Sequence, residues 1–176
     1  MKTGLKKFLT SLAIFIVPII SILFLEILVY SSRSNDFFNF LRFAPFYIGI
    51  YYWLSLRPDI FNIFSAFLLG IFADVLSTNM LGINILSFLI LYLISSQIFS
   101  YFNIKKFTYS WLLFTLSLFI TLIFKSIIVS IFYRKLIPFN FLFIEYILTS
   151  SLYPIIVRFY LFIEKRFIHL EERYEN

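Results

Sequence analysis

Four ionisable side chains stand inside long apolar stretches of the sequence: Glu26, Asp74, Lys125 and Glu145. A charge at the centre of a bilayer costs about 2.5–3.5 kcal/mol on insertion scales, so such residues are the first place to look for function. Their chemistry supports two readings. A carboxylate and an ammonium buried together form an ion pair that locks helices, or their side chains reach outward to water. Alternatively, they line a polar pocket or docking surface open to one side of the membrane. Lys125 lies deepest and needs an acidic partner, for which Glu26 and Glu145 both qualify. A proton relay would require a chain of acids and histidines across the membrane, and the sequence has no such chain.

Other chemistries lack their residues. The single histidine, His169, lies in a charged C-terminal segment beside Glu171 and Glu172 and reads as a solvated side chain rather than the base of a Ser–His protease. One histidine without cysteine is a poor metal donor set, and the lack of cysteine also excludes disulfides. Gly4, Gly49, Gly70 and Gly82 stand alone, forming neither a phosphate-cradling loop nor a small-xxx-small dimer motif. Serine and threonine within apolar helices usually bond back to their own backbone and need no further role. No catalytic, cofactor-binding or metal site is expected, and the chain reads as non-enzymatic.

The elements that hold these charges follow from composition. The chain of 176 residues is 61% hydrophobic and only 14% charged, with a mean hydropathy of +0.95. A soluble domain of this size could not hide so much apolar surface, whereas lipid covers it. Helices of about 20 apolar residues cross a bilayer core. The apolar runs predict a single polytopic membrane domain over 1–176, an all-α bundle of six transmembrane helices at about 8–30, 38–56, 59–75, 83–102, 111–132 and 141–163. The first run is longer than a secretory signal's apolar core and reads as a retained helix. Pro58 is expected to open the third helix at its first turn. The charged tail from Glu164 is expected to continue the last helix into water.

The basic residues set an orientation. With a cytoplasmic amino terminus, the inner side collects Lys2, Lys6, Lys7, Arg57, Lys105, Lys106, Arg158, Lys165, Arg166 and Arg173, and the outer side keeps Arg33, Arg42, Arg134 and Lys135. Both termini are then cytoplasmic, and all four buried charges fall in the outer half of the bilayer. The net charge of +6 is accounted for by this asymmetry and by contact with anionic lipid headgroups. It does not indicate nucleic-acid binding, which would need a basic face on a soluble domain.

The segment RFAPFYIGIYYWLSLRPDIFNIFSAFLLGIFADVLSTNMLGINILSFLILYL, Arg42 to Leu93, contains an ordered set of polar and turn residues. Arg57 and Pro58 make a short turn. Gly70 allows close helix approach one turn before Asp74, which is placed to accept bonds from the Ser77–Asn79 loop. Gly82 frees the chain for re-entry and Asn84 is placed to cap or cross-link the next helix. The segment resembles the rod shape-determining protein MreD family, whose pattern is Arg-x-x-Pro, an aromatic-Trp pair, Arg-Pro, Gly-x-x-x-Asp, and then Pro-Leu-Gly-Leu-Asn. The matching residues are Arg42, Pro45, Tyr52, Trp53, Arg57, Pro58, Gly70, Asp74, Gly82 and Asn84; Met80 and Ile83 depart from the pattern mildly. The segment Leu148–Pro154 resembles the family's last span.

The resemblance implies a membrane scaffold of the bacterial elongation machinery in the inner (cytoplasmic) membrane. Its partners would be MreC, the actin-like MreB, RodA and a class B penicillin-binding protein, and it would help maintain rod shape and direct lateral peptidoglycan synthesis. It also implies a fold similar to the substrate-binding subunits of energy-coupling-factor transporters. That second likeness supplies the alternative of a binding subunit for a small, vitamin-type molecule.

Overall fold

The computed structural model describes residues 16–28, 44–58, 61–77, 82–101, 106–134 and 138–175. Six helices make up nearly all of these: α1 (Ile16–Leu28), α2 (Pro45–Leu56), α3 (Ile63–Ser77), α4 (Ile83–Tyr101), α5 (Phe107–Tyr133) and α6 (Phe139–Glu175). No strand occurs among the described residues.

The short helix α2 is the centre of the assembly. Pro45 opens it, where the missing N–H is one that a helix start leaves unpaired anyway. Every residue from Pro45 to Leu54 is buried, as befits a helix that is apolar all round. It packs against α4, α5 and α6, while α3–α4, α4–α5 and α5–α6 pack as successive neighbours. Helix α1 covers α2 on a further side. A Cβ built on Gly49 would meet Cγ1 of Ile22 at 2.5 Å and the Tyr160 hydroxyl at 2.7 Å. Only a residue without a side chain allows α1 and α6 to approach α2 there.

Helices α4, α5 and the first 28 residues of α6 are each long and apolar enough to cross a bilayer, which fits a membrane protein. Helix α5, with 27 residues, is about 40 Å long, and α6, with 37, about 55 Å. The outer faces are apolar and open: Leu112, Leu116, Phe119, Ile123, Ile127 and Ile131 on α5 are all exposed. In water such a stripe would be an aggregation surface; in lipid it is the solvent-facing side.

Helix limits differ from the sequence expectation in instructive places. Pro58 does not open α3. It lies in a turn, with the N–H of Phe61 donating to the carbonyl of Arg57 at 2.9 Å, and the helix begins at Ile63. Asn62 captures the start instead, because its Oδ1 accepts the N–H of Ser65 at 3.1 Å and satisfies an otherwise orphaned donor. Helix α5 starts at Phe107, four residues before the expected Trp111, and α6 starts at Phe139, two residues before its expected limit, while its continuation through the charged tail to Glu175 follows the expectation. Residues 8–15, 29–30, 38–43, 59–60 and 102 of the expected spans lie outside the described residues.

Candidate functional site

The deepest charge has found its partner. Lys125 is on α5, and its Nζ lies 2.7 Å from Oε1 of Glu145 on α6. The two side chains are 17% and 9% exposed, so the pair is largely withdrawn from solvent yet open at one edge. The sequence left Glu26 and Glu145 as equal candidates, and the oxygen at hydrogen-bond distance is Glu145's. The ammonium also stands 5.7 Å from the ring centroid of Tyr47, within cation–π range. Tyr47, on α2, is fully buried and packs edge-on against Phe88 of α4. Ser87 is fully buried too and bonds back to the carbonyl of Ile83 at 2.7 Å. Four helices thus meet at one polar locus made of Tyr47, Ser87, Lys125 and Glu145.

Asp74 does different work. Its Oδ2 accepts the N–H of Gly82 at 2.8 Å and its Oδ1 accepts the N–H of Asn84 at 3.0 Å. A carboxylate on the last turn of α3 therefore ties down the first turn of α4, where unpaired N–H groups and the helix dipole both favour negative charge. Of the Ser77–Asn79 loop from which bonds to Asp74 were expected, Thr78 and Asn79 lie outside the described residues. The hairpin closes because Gly82 adopts φ +97° and Gly70 admits the neighbouring backbone. A Cβ at Gly70 would lie 2.6 Å from Cα of Ile85.

Glu26, on α1, is buried at 6% exposure and acts electrostatically on Tyr160, whose hydroxyl points at Gly49. The four sequence-selected charges thus serve three places: an ion pair, a hairpin tie, and the α1–α6 contact around α2.

Other family-motif positions are structural in the same sense. The N–H of Arg57 closes α2 by donating to the Trp53 carbonyl at 2.9 Å. The indole Nε1 of Trp53 donates to Oγ of Ser21 on α1 at 3.1 Å, and that hydroxyl donates onward to the Pro18 carbonyl at 2.8 Å. Arg42 lies outside the described residues.

Sequence reasoning did not single out Tyr47, Tyr51, Ser110, Tyr153 or Glu164. The Tyr51 hydroxyl donates to the Ser110 carbonyl at 3.1 Å, the hydroxyls of Ser110 and Tyr153 pair at 2.8 Å, and the Tyr52 hydroxyl donates to Oε2 of Glu164 at 3.0 Å. A usable signal existed for part of this set. Glu145, Thr149 and Tyr153 recur every four residues, as do Ser117, Thr121 and Lys125, placing each set along one helix face. No group of three or more metal-ligating side chains occurs among the described residues. The arrangement cross-links helices and offers one partly open charged edge.

A family model described as rod shape-determining protein MreD matches residues 7–163. Neither a curated protein nor a solved structure matches the chain, so the expected likeness to energy-coupling-factor transporter subunits gains no support.

Proposed function

The chain belongs to the rod shape-determining protein MreD family, and from that premise we propose that it is a non-enzymatic membrane scaffold of the elongation machinery. The family carries a role in determining rod shape. The finer reading is that the bundle sits in the bacterial inner membrane with six spans and both termini cytoplasmic. It engages MreC directly and, through it, MreB, RodA and a class B penicillin-binding protein.

One observation carries this reading: the family match over residues 7–163 takes in all six helices except the C-terminal end of α6, and the described motif residues make helix contacts rather than a reaction centre. Pro45 and Arg57 bound α2, Trp53 joins it to α1, and Gly70, Asp74 and Gly82 build the α3–α4 hairpin. MreC is proposed to dock through its membrane helix and juxtamembrane segment. The surface is the end of the bundle where Asp74, Lys125 and Glu145 lie, placed outside by the basic-residue bias.

The test is a mild-detergent pull-down of the tagged protein from its own cells, read by mass spectrometry. Recovery of MreC with RodA or the penicillin-binding protein is the expected result. Recovery of a transporter's transmembrane and ATPase subunits, without those partners, would overturn it. Asp74→Ala and Lys125→Ala are expected to reduce MreC recovery while leaving the protein inserted; undiminished recovery from both would move the docking surface elsewhere.

A further inference from the structure

An arginine on the lipid-facing side of a helix is costly unless something anionic meets it, because its charge persists whatever its surroundings. Arg158 on α6 is exposed, and it forms no hydrogen bond or ion pair among the described residues. Its flanks are apolar and open: Ile155 is 63% exposed, Leu161 37% and Phe162 69%. The buried residues of the same turns, Tyr153, Ile156 and Tyr160, lie on the other side of the helix. Arg158 therefore faces the side that lipid covers.

Its depth is fixed by neighbouring helices. Tyr51 meets Phe99, near the end of α4, at 5.0 Å and Tyr153 at 6.2 Å. Phe107, the first residue of α5, meets Tyr153 at 6.0 Å. Tyr153 thus marks the level at which α4 stops and α5 starts, and Arg158 is about 7.5 Å further along the axis. Tyr101 and Tyr109, both strongly exposed, belong to the same end of the bundle, as aromatic residues at a membrane surface do. From Phe139 to Arg158, α6 rises about 28 Å, close to the thickness of a hydrocarbon core. Arg158 accordingly stands at a boundary between hydrocarbon and headgroups, where phosphates are.

Lys165 follows seven residues later, almost two full turns, and so on the same line of the helix. It too is exposed and forms no hydrogen bond or ion pair among the described residues. Glu164, the adjacent carboxylate, accepts the Tyr52 hydroxyl at 3.0 Å and is turned toward α2, which leaves the strip basic. On the bilayer side of Arg158, Ile155 and Ile147 continue the strip as exposed apolar surface. We propose that this strip is a binding site for one anionic phospholipid. The Arg158 fork takes two phosphate oxygens, Lys165 adds a point charge, and an acyl chain lies along Ile155 and Ile147.

Native mass spectrometry of the full chain, released from nanodiscs of dioleoyl phosphatidylglycerol and dioleoyl phosphatidylcholine, tests this. The expected result is one phosphatidylglycerol retained in preference to phosphatidylcholine. Arg158→Gln is expected to hold it about tenfold more weakly, through loss of a bidentate charge-assisted contact. Arg158→Lys should recover only part, because an ammonium lacks the fork. Arg166→Gln removes the same charge about 80° around the helix from Arg158 and is expected to leave retention unchanged. Equal loss in Arg158→Gln and Arg166→Gln would reduce the effect to bulk charge attraction and overturn the proposal. No loss from Arg158→Gln, or equal retention of the two lipids, would overturn it as well. Because Arg158 is exposed, its replacement is expected to leave the unfolding midpoint in phosphatidylcholine at the parent's value, which separates lipid loss from misfolding.

Discussion

The hydroxyl of Tyr52 donates to a carboxylate oxygen of Glu164 at 3.0 Å, joining residues 112 positions apart. It belongs to a set of three. Tyr51, Tyr52 and Trp53 are consecutive on α2, so their side chains leave the helix about 100° apart. They reach α5, α6 and α1 respectively, each ending in a hydrogen bond. The Tyr52 ring also stacks on Tyr160, with centroids 5.1 Å apart. Tyr52→Phe keeps the stacking and deletes one charge-assisted bond, so a loss of about 1.5–3 kcal/mol is expected. Unfolding of the purified protein in mixed detergent micelles reads this directly. A neutral result would mean that Glu164 is equally well satisfied by water.

The link from Trp53 to Ser21 differs because its acceptor is itself a donor. Ser21→Ala leaves a buried indole N–H without a partner and is expected to destabilise by about 1–3 kcal/mol. Trp53→Phe removes the donor but also leaves space in a packed layer, which adds a cavity penalty. A double-mutant cycle separates the two effects, and the coupling attributable to the bond is expected at about 1 kcal/mol. Zero coupling would assign the role of Trp53 to packing alone.

Local features were legible in the sequence. The Gly70–Asp74–Gly82 hairpin closes where expected, because turn chemistry and glycine geometry act over a few residues. Pro58 misled because a nearer signal won: Asn62 caps α3 four residues further on. The long-range bonds were not legible. Glu26 and Glu145 sit at similar expected depths, so nothing local chooses between them as the partner of Lys125. That choice is made by which helices pack side by side. The same holds for Glu164, which reads as the start of a solvated tail until α2 is placed beside it.

Gly70 and Gly82 predict two kinds of damage. Gly70→Ala forces a methyl against the Ile85 backbone, which cannot move aside as a side-chain tip would. Overpacking of about 1–3 kcal/mol is expected, with α3 and α4 pushed apart. Gly82 has open space around its missing Cβ, but its φ of +97° is disfavoured for any other residue. Gly82→Ala should therefore cost about 1–2 kcal/mol through backbone strain alone. Gly82→Asn should recover part of it, since asparagine tolerates positive φ. Gly70→Asn should recover nothing, and thermal unfolding of the four variants distinguishes the two mechanisms.

Lys125 and Glu145 separate a structural lock from a docking surface. Removing one member of a buried pair leaves the other uncompensated, and about 3 kcal/mol of stability is expected to be lost in Lys125→Leu or Glu145→Leu. Replacing both with leucine removes both desolvation terms and is expected to return stability close to that of the parent. Tyr47 limits the recovery, because its ring loses the cation that stands 5.7 Å away. Co-recovery of MreC then decides the role. If the double variant is as stable as the parent and still captures MreC, the pair only fastens α5 to α6. If it is stable and MreC is lost, the partly open carboxylate–ammonium edge is itself part of the docking surface. The latter outcome is expected, since a pair needed only for fastening gains nothing from being left accessible at its edge.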